Sequence, residues 1–164
     1  VTKLPDQPAV IRPATRADLA AVLEHRLGML AAVFPNPSQE EQAVPGSGDI
    51  RESNRHWLEE HLGRDFCAWL AEADGEVVAS AAILWFDHPP SPVNPGGREA
   101  YILNVYTAPE ARRRGMARTL MERLVEEARA AGVKRVWLRA SDEGRPLYES
   151  MGFRPSNYLQ LTFD

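Results

Sequence analysis

Apolar residues recur every three or four positions from Leu19 through Val22, Leu23 and Leu27 to Leu30. This spacing predicts a helix started by Thr15 or Asp18 and ended at FPNP. The preceding VIRPAT reads as a short strand, and Pro35 to Ile50, with three prolines and two glycines, reads as an exposed loop. A second helical stretch runs from Glu52 to Leu62 and stops at Gly63. The pattern then shortens to two strand-like runs, FCAWLAE and EVVASAAILWF. Asp74-Gly75 joins them as a hairpin, because both residue types tolerate positive φ.

After the loop DHPPSPVNPGG, the β-branched and aromatic run EAYILNVYTA predicts a strand and PEARRRG a charged turn. Met116 to Ala131 follows as a helix with Ala117, Leu120, Met121, Leu124, Val125 and Ala128 on one face, ended by Gly132. VKRVWLRA is the next strand, Pro146 to Met151 a short helix stopped by Gly152, and FRPSNYLQLTF a terminal strand or bent pair of strands. Alternating strands and helices with a hairpin between them predict an α/β chain of the α+β kind, a mixed sheet covered by helices. No internal repeat interrupts it, and 164 residues suit a single domain over 1–164.

Composition narrows the classes. There is no run of about 18 apolar residues for a membrane span, and VTKLPDQP lacks the apolar core of a signal peptide, so a cytoplasmic chain without membrane contact is expected. Cys67 is the only cysteine, which excludes a disulfide framework; on an apolar strand it reads as core. His25, His56, His61 and His88 do not have metal-ligand spacing. Charge is divided: residues 1–99 carry 15 acidic and 8 basic side chains, residues 100–164 carry 8 and 11. An anionic ligand therefore belongs to the second half and a cation to the first, while the basic cluster Arg112 to Arg114 is too short for a nucleic-acid stripe.

VYTAPEARRRGMARTLMERL places a strand, a tight turn with a glycine and a helix in succession. At such a junction the first backbone N–H groups of the helix lack partners and the dipole favours negative charge. Gly115 lets phosphate oxygens approach the backbone, Ala117 leaves space, and Arg112, Arg113 and Arg114 add charged donors. A plain turn with solvated arginines fits the same pattern, and spacing alone does not name the anion. Neither GxGxxG nor GKS/GKT is present.

Arg112-x-x-Gly115-x-Ala117, between a strand and an amphipathic helix, resembles the acetyl-CoA signature of the GCN5-related N-acetyltransferase (GNAT) superfamily. LYESMGF at 147–153 resembles that superfamily's second block, in the usual order and at about the usual distance. The resemblance implies a mostly antiparallel sheet whose fourth and fifth strands splay around the pantetheine arm of acetyl-CoA. It places Val105, Tyr106 and Thr107 along that arm, Arg112, Arg113, Arg114, Gly115, Met116 and Ala117 around the pyrophosphate, and Arg118 within reach of phosphate or the adenosine side. Where relatives often have an asparagine that contacts the cofactor arm, this chain has Ser141, whose hydroxyl is expected to replace one polar contact to the cofactor. Tyr148 is the implied acid that protonates the departing thiolate, and Glu99 the leading base for the amine. Glu99 and Tyr101 share one strand parity, Asn104 and Tyr106 the other, and an expected bulge can exchange them.

The acceptor region is expected at Glu24 to Trp57, with the loops at Trp85 to Arg98 and Ser156 to Tyr158; among the tryptophans, Trp85, with Phe86 beside it, has the best claim to its wall. Its acidic and aromatic character suits a small cationic amine, giving a small-molecule N-acetyltransferase acting by direct attack. A protein or peptide N-acetyltransferase, with an open groove in place of a closed pocket, and a non-catalytic acyl-CoA sensor are the alternatives. The tail YLQLTF offers an edge strand for a homodimer.

Overall fold

The structure is a computed structural model and describes residues 9–34 and 49–161. Five strands, β1 (Val10–Pro13), β2 (Phe66–Ala73), β3 (Glu76–Asp87), β4 (Arg98–Thr107) and β5 (Val136–Leu138), form one sheet in the order β1-β2-β3-β4-β5. Neighbours run antiparallel except β4 and β5, which are parallel. Helices α1 (Leu19–Val33) and α2 (Ile50–His61) pack on one face, α3 (Met116–Ala130) and α4 (Arg145–Ser150) on the other.

The two faces follow from the strand period. On β3, Ala82 and Leu84 meet Val22, Leu23 and Leu58 of the first layer, while Ala81, Ile83 and Trp85 meet Leu120, Met121 and Leu124 of α3. Burying side chains such as Phe66 and Leu124 completely contributes roughly 1.5–3 kcal/mol each. The β2–β3 hairpin turns at Asp74 (φ 54°) and Gly75 (φ 79°), the paired positive values of a type I′ turn. At the entry to α1, Thr15 donates its backbone N–H to Asp18 at 2.8 Å, and Arg12 of β1 grips the same carboxylate at 2.7 and 3.0 Å. Asp49 caps α2 by accepting from the Arg51 N–H at 2.9 Å.

Two expectations change. VKRVWLRA yields only the three residues of β5. The tail forms no strand over residues 153–161: Pro155 has no N–H to give a ladder, and Tyr158 holds the segment to β5 by stacking on Trp137, with centroids 5.3 Å apart. Leu159 is 99% exposed. The expected loop from Pro35 to Ile50 lies, through residue 48, outside the described residues.

Candidate active site

Strand β4 pairs with β3 along nearly its whole length but with β5 only through Ala100, Tyr101 and Ile102. Beyond Ile102 its β5-facing edge has no strand partner among the described residues, which is the expected splay. Within that stretch lies a bulge: Ala82 faces Leu103 and Ser80 faces Tyr106, so Ala81 alone opposes Asn104 and Val105. Asn104 takes φ 55°, a conformation uncommon outside glycine. The extra residue resets the parity. Leu103 packs in the α1/α2 layer, Asn104 contacts Arg26 of α1, Val105 turns to the α3 layer, and Tyr106 comes back against His25 of α1. The tyrosine ring occupies the space beside Gly28, where a Cβ would stand 2.8 Å from it.

The edge leads to the turn that enters α3. Arg113 (φ 63°) and Gly115 (φ 80°) both adopt left-handed backbone, and Gly115 occupies the N-cap position without a capping side chain. A Cβ on Gly115 would meet nothing within 4 Å, so the ground in front of the helix is open. The first α3 N–H groups point there, since the helical ladder begins with Thr119 donating to Gly115. Arg112 donates to the Thr107 carbonyl at 3.2 Å and lies 3.7 Å from Glu143. Arg113 and Arg114 are exposed and have no ion pair among the described residues. Bare N–H groups, an open turn and three guanidinium groups fit a pyrophosphate. Met116 is buried and contributes backbone, while Arg118 donates to Ser150 Oγ at 2.6 Å and so ties α3 to α4.

Helix α4 carries Tyr148 into the α3 layer, 9% exposed, with Phe153 in an edge contact at 6.1 Å. Burial pushes the phenol above its ordinary pKa, and its hydroxyl has no hydrogen-bond partner among the described residues. Ser141 is exposed and its Oγ accepts from the Gly144 N–H at 3.2 Å, so its hydroxyl builds the turn before α4.

Glu99 stands apart from the bulge, five residues upstream and on the order of 16 Å along the strand. It is 2% exposed. Trp137 Nε1 donates to it at 3.1 Å, His88 Nε2 lies 3.2 Å away, and Arg135 approaches to 3.7 Å. Tyr101 and Phe86 both contact the Trp137 ring, giving this corner an aromatic wall. The expected acceptor wall at Trp85 is corrected: that side chain is buried in the α3 layer because it lies at the opposite parity from Phe86.

The segments expected to form the acceptor region, Glu24 to Trp57 and Trp85 to Arg98, hold a residue to which the sequence pattern assigns no role of its own: Arg26. A cavity of about 300 Å³ between α1, α2 and the sheet is lined by Arg26, Asn54, Trp57, Leu103 and Asn104 among others. Arg26 donates through Nε to Asn54 Oδ1 at 3.1 Å and through Nη1 to Asn104 Oδ1 at 2.7 Å. The available signal was a cation on the Leu19–Leu23–Leu30 stripe of α1.

Among known proteins, the chain is 43% identical over 58 residues to the [ribosomal protein bS18]-alanine N-acetyltransferase of Salmonella typhimurium, covering 34% of this chain and 39% of that protein. It is 34% identical over 122 residues to the mycothiol acetyltransferase of Beutenbergia cavernae, covering 72% of this chain and 37% of that one. The chain thus spans less than half the length of either relative. A predicted acetyltransferase from Clostridium acetobutylicum, crystallised with acetyl-CoA, superposes with a TM-score of 0.82 at 30% identity, over 94% of this chain and 96% of that one. The bS18 relatives correct the expectation of a small-molecule amine as partner, because the acceptor in their name is a protein. No helix among the described residues is long and apolar enough to cross a membrane. The Acetyltransferase (GNAT) family pattern matches residues 32–153, a stretch that opens late in α1, takes in the splay and the arginine turn, and closes on Phe153 beside Tyr148. The chain belongs to that family.

Proposed function

We propose that this chain is an acetyl-CoA-dependent N-acetyltransferase whose acceptor is the terminal amine of a protein or peptide. The observation that carries the chemistry is the edge of β4 beyond Ile102, which has no strand partner among the described residues and leads into the N-terminus of α3. Likeness to the bS18-alanine acetyltransferases supports the choice of acceptor.

In this reading Val105, Tyr106 and Thr107 offer backbone groups along the open edge, as a strand would. Arg112, Arg113, Arg114 and the N–H groups of Met116, Ala117 and Arg118 hold the phosphates. Acetyl-CoA supplies an activated acyl group and a thiolate leaving group. Tyr148 keeps its proton at neutral pH, because burial disfavours the phenolate, and gives it to the thiolate as the carbon–sulfur bond breaks. The attacking amine loses one proton as its carbon–nitrogen bond forms. That proton passes to water in the cleft, and Glu99, beside the partly exposed His88 imidazole, is the carboxylate at the far end of the strand to which a chain of such waters would carry it.

Thiol release from acetyl-CoA, measured with peptides bearing free N-termini and with Tyr148→Phe in parallel, tests this. Turnover that falls sharply in the variant is expected. Tight acetyl-CoA binding with no peptide turnover would overturn the enzyme reading in favour of an acyl-CoA sensor.

A further inference from the structure

Arg26 is a half-buried cation on the lining of the cavity beside the β4 bulge, and no lining residue is acidic. The first half of the chain is rich in carboxylates, yet among the described residues none pairs with this guanidinium. Glu24, two residues earlier, is turned outward to Arg51. Two amides fix the guanidinium fork. Asn54 is itself held, donating Nδ2 to the Ile50 carbonyl at 2.7 Å while Oδ1 accepts from Arg26 Nε. Asn104 is held by the bulge and accepts from Nη1. Arg26 Nη2 and Asn104 Nδ2 have no acceptor among the described residues. Burial works against the charged form of Arg26, and an incoming anion would offset that cost.

We propose that Arg26, with Asn54 and Asn104, forms a carboxylate subsite that selects acceptors carrying an acidic side chain close to the reacting amine. This rests on the peptide-acceptor reading, in which the backbone α-carboxyl next to the amine is tied up in a peptide bond. The carboxylate must then come from a side chain. Asn104 adjoins Val105 on the open edge, one Cα step of about 3.8 Å, so the acid belongs to the first or second residue of the acceptor. A planar guanidinium with fixed orientation discriminates a carboxylate from its amide isostere better than a flexible ammonium does.

The test uses peptides with free N-termini, identical except for Asp, Glu, Asn, Gln or Lys at position one or two. Equilibrium binding to the CoA-loaded protein is measured beside thiol release from acetyl-CoA. Wild type is expected to bind the acidic member roughly tenfold more tightly than its amide isostere. The ratio should fall towards one in Arg26→Gln and to an intermediate value in Arg26→Lys. No acid-to-amide preference in wild-type binding, or no peptide binding at all, overturns the subsite. So does a preference that survives in an Arg26→Gln protein of native circular dichroism. Acid-selective binding without turnover would overturn the acetyltransferase reading and leave the subsite standing; turnover blind to charge would do the reverse.

Discussion

Gly144 lies directly beneath the ring of Tyr148: a Cβ on that glycine would stand 2.9 Å from the ring edge and 3.2 Å from the hydroxyl oxygen. The backbone of Gly144 is right-handed, so the requirement is for space and not for a special φ. Gly144→Ala must therefore move the tyrosine. We expect kcat to drop at least roughly tenfold, with acetyl-CoA affinity within about twofold of wild type. An unchanged kcat would show that the Tyr148 position does not matter.

Removing the hydroxyl itself is the sharper test of its role. Tyr148→Phe keeps the ring contact with Phe153 and leaves no buried partner stranded. A loss of about 10²–10⁴ in kcat is expected for a lost proton donor. Because burial raises the phenol's pKa, the wild-type rate should hold into alkaline pH.

At the other end of the proposed cofactor site, the left-handed backbone of Gly115 sets a cost on any side chain. Gly115→Ala fits the space but is strained by roughly 1–2 kcal/mol, and relief of that strain would turn the α3 N–H groups away from the phosphates. Calorimetric titration should show weaker acetyl-CoA binding. Arg113→Ala should weaken it too, and should flatten its dependence on salt, which Gly115→Ala should not.

Glu99 is open to two roles that kinetics can separate. As a strap it holds Trp137 of β5; as a base it takes the amine's proton. Glu99→Gln preserves an acceptor for the indole N–H. If proton removal is the role, kcat/KM near neutral pH falls by about 10² and recovers as pH rises and more amine is neutral. A pH-independent loss, accompanied by a lower Tm, would assign the strap alone.

His25 links pH to stability. Its Nδ1 lies 2.9 Å from Ser80 Oγ and its Nε2 3.1 Å from the Val77 carbonyl, and burial lowers its pKa below 6.5. The unfolded chain then binds more protons than the folded one between the two pKa values. The stabilising contribution is full above about 6.5 and is lost as pH falls from there towards the folded value. Urea unfolding at pH 7.5 and 5.5 should show this loss in wild type and a smaller one in His25→Gln.

Asp74-Gly75 announces its turn because few residues accept positive φ twice, and Leu120, Met121 and Leu124 announce α3 because a helix repeats its buried face. The family was legible in two motifs, the arginine turn and LYESMGF. The strand register was not: no local feature announces that Asn104 is the extra residue, because a bulge is decided by the pairing of β3 against β4. The tail looked like a strand from its alternation, but that pattern does not show whether a ladder partner is available. Arg26 carries no local mark of its role, because the partners that define it lie 28 and 78 residues away.

The three paired residues of β4 and β5 also make a seam of unequal strength. β1 to β4 are joined by longer ladders, whereas β5 joins the sheet through this short one, supplemented by Glu99 and the contacts of α3 and α4. Hydrogen exchange should find the amides of 136–138 opening well before those of 78–84. A ligand lying along the free edge would bridge both sides, so CoA should slow exchange on β5 more than on β2. Tyr148 follows β5 in the chain, on α4, so on gentle heating activity should disappear while most of the sheet is still intact.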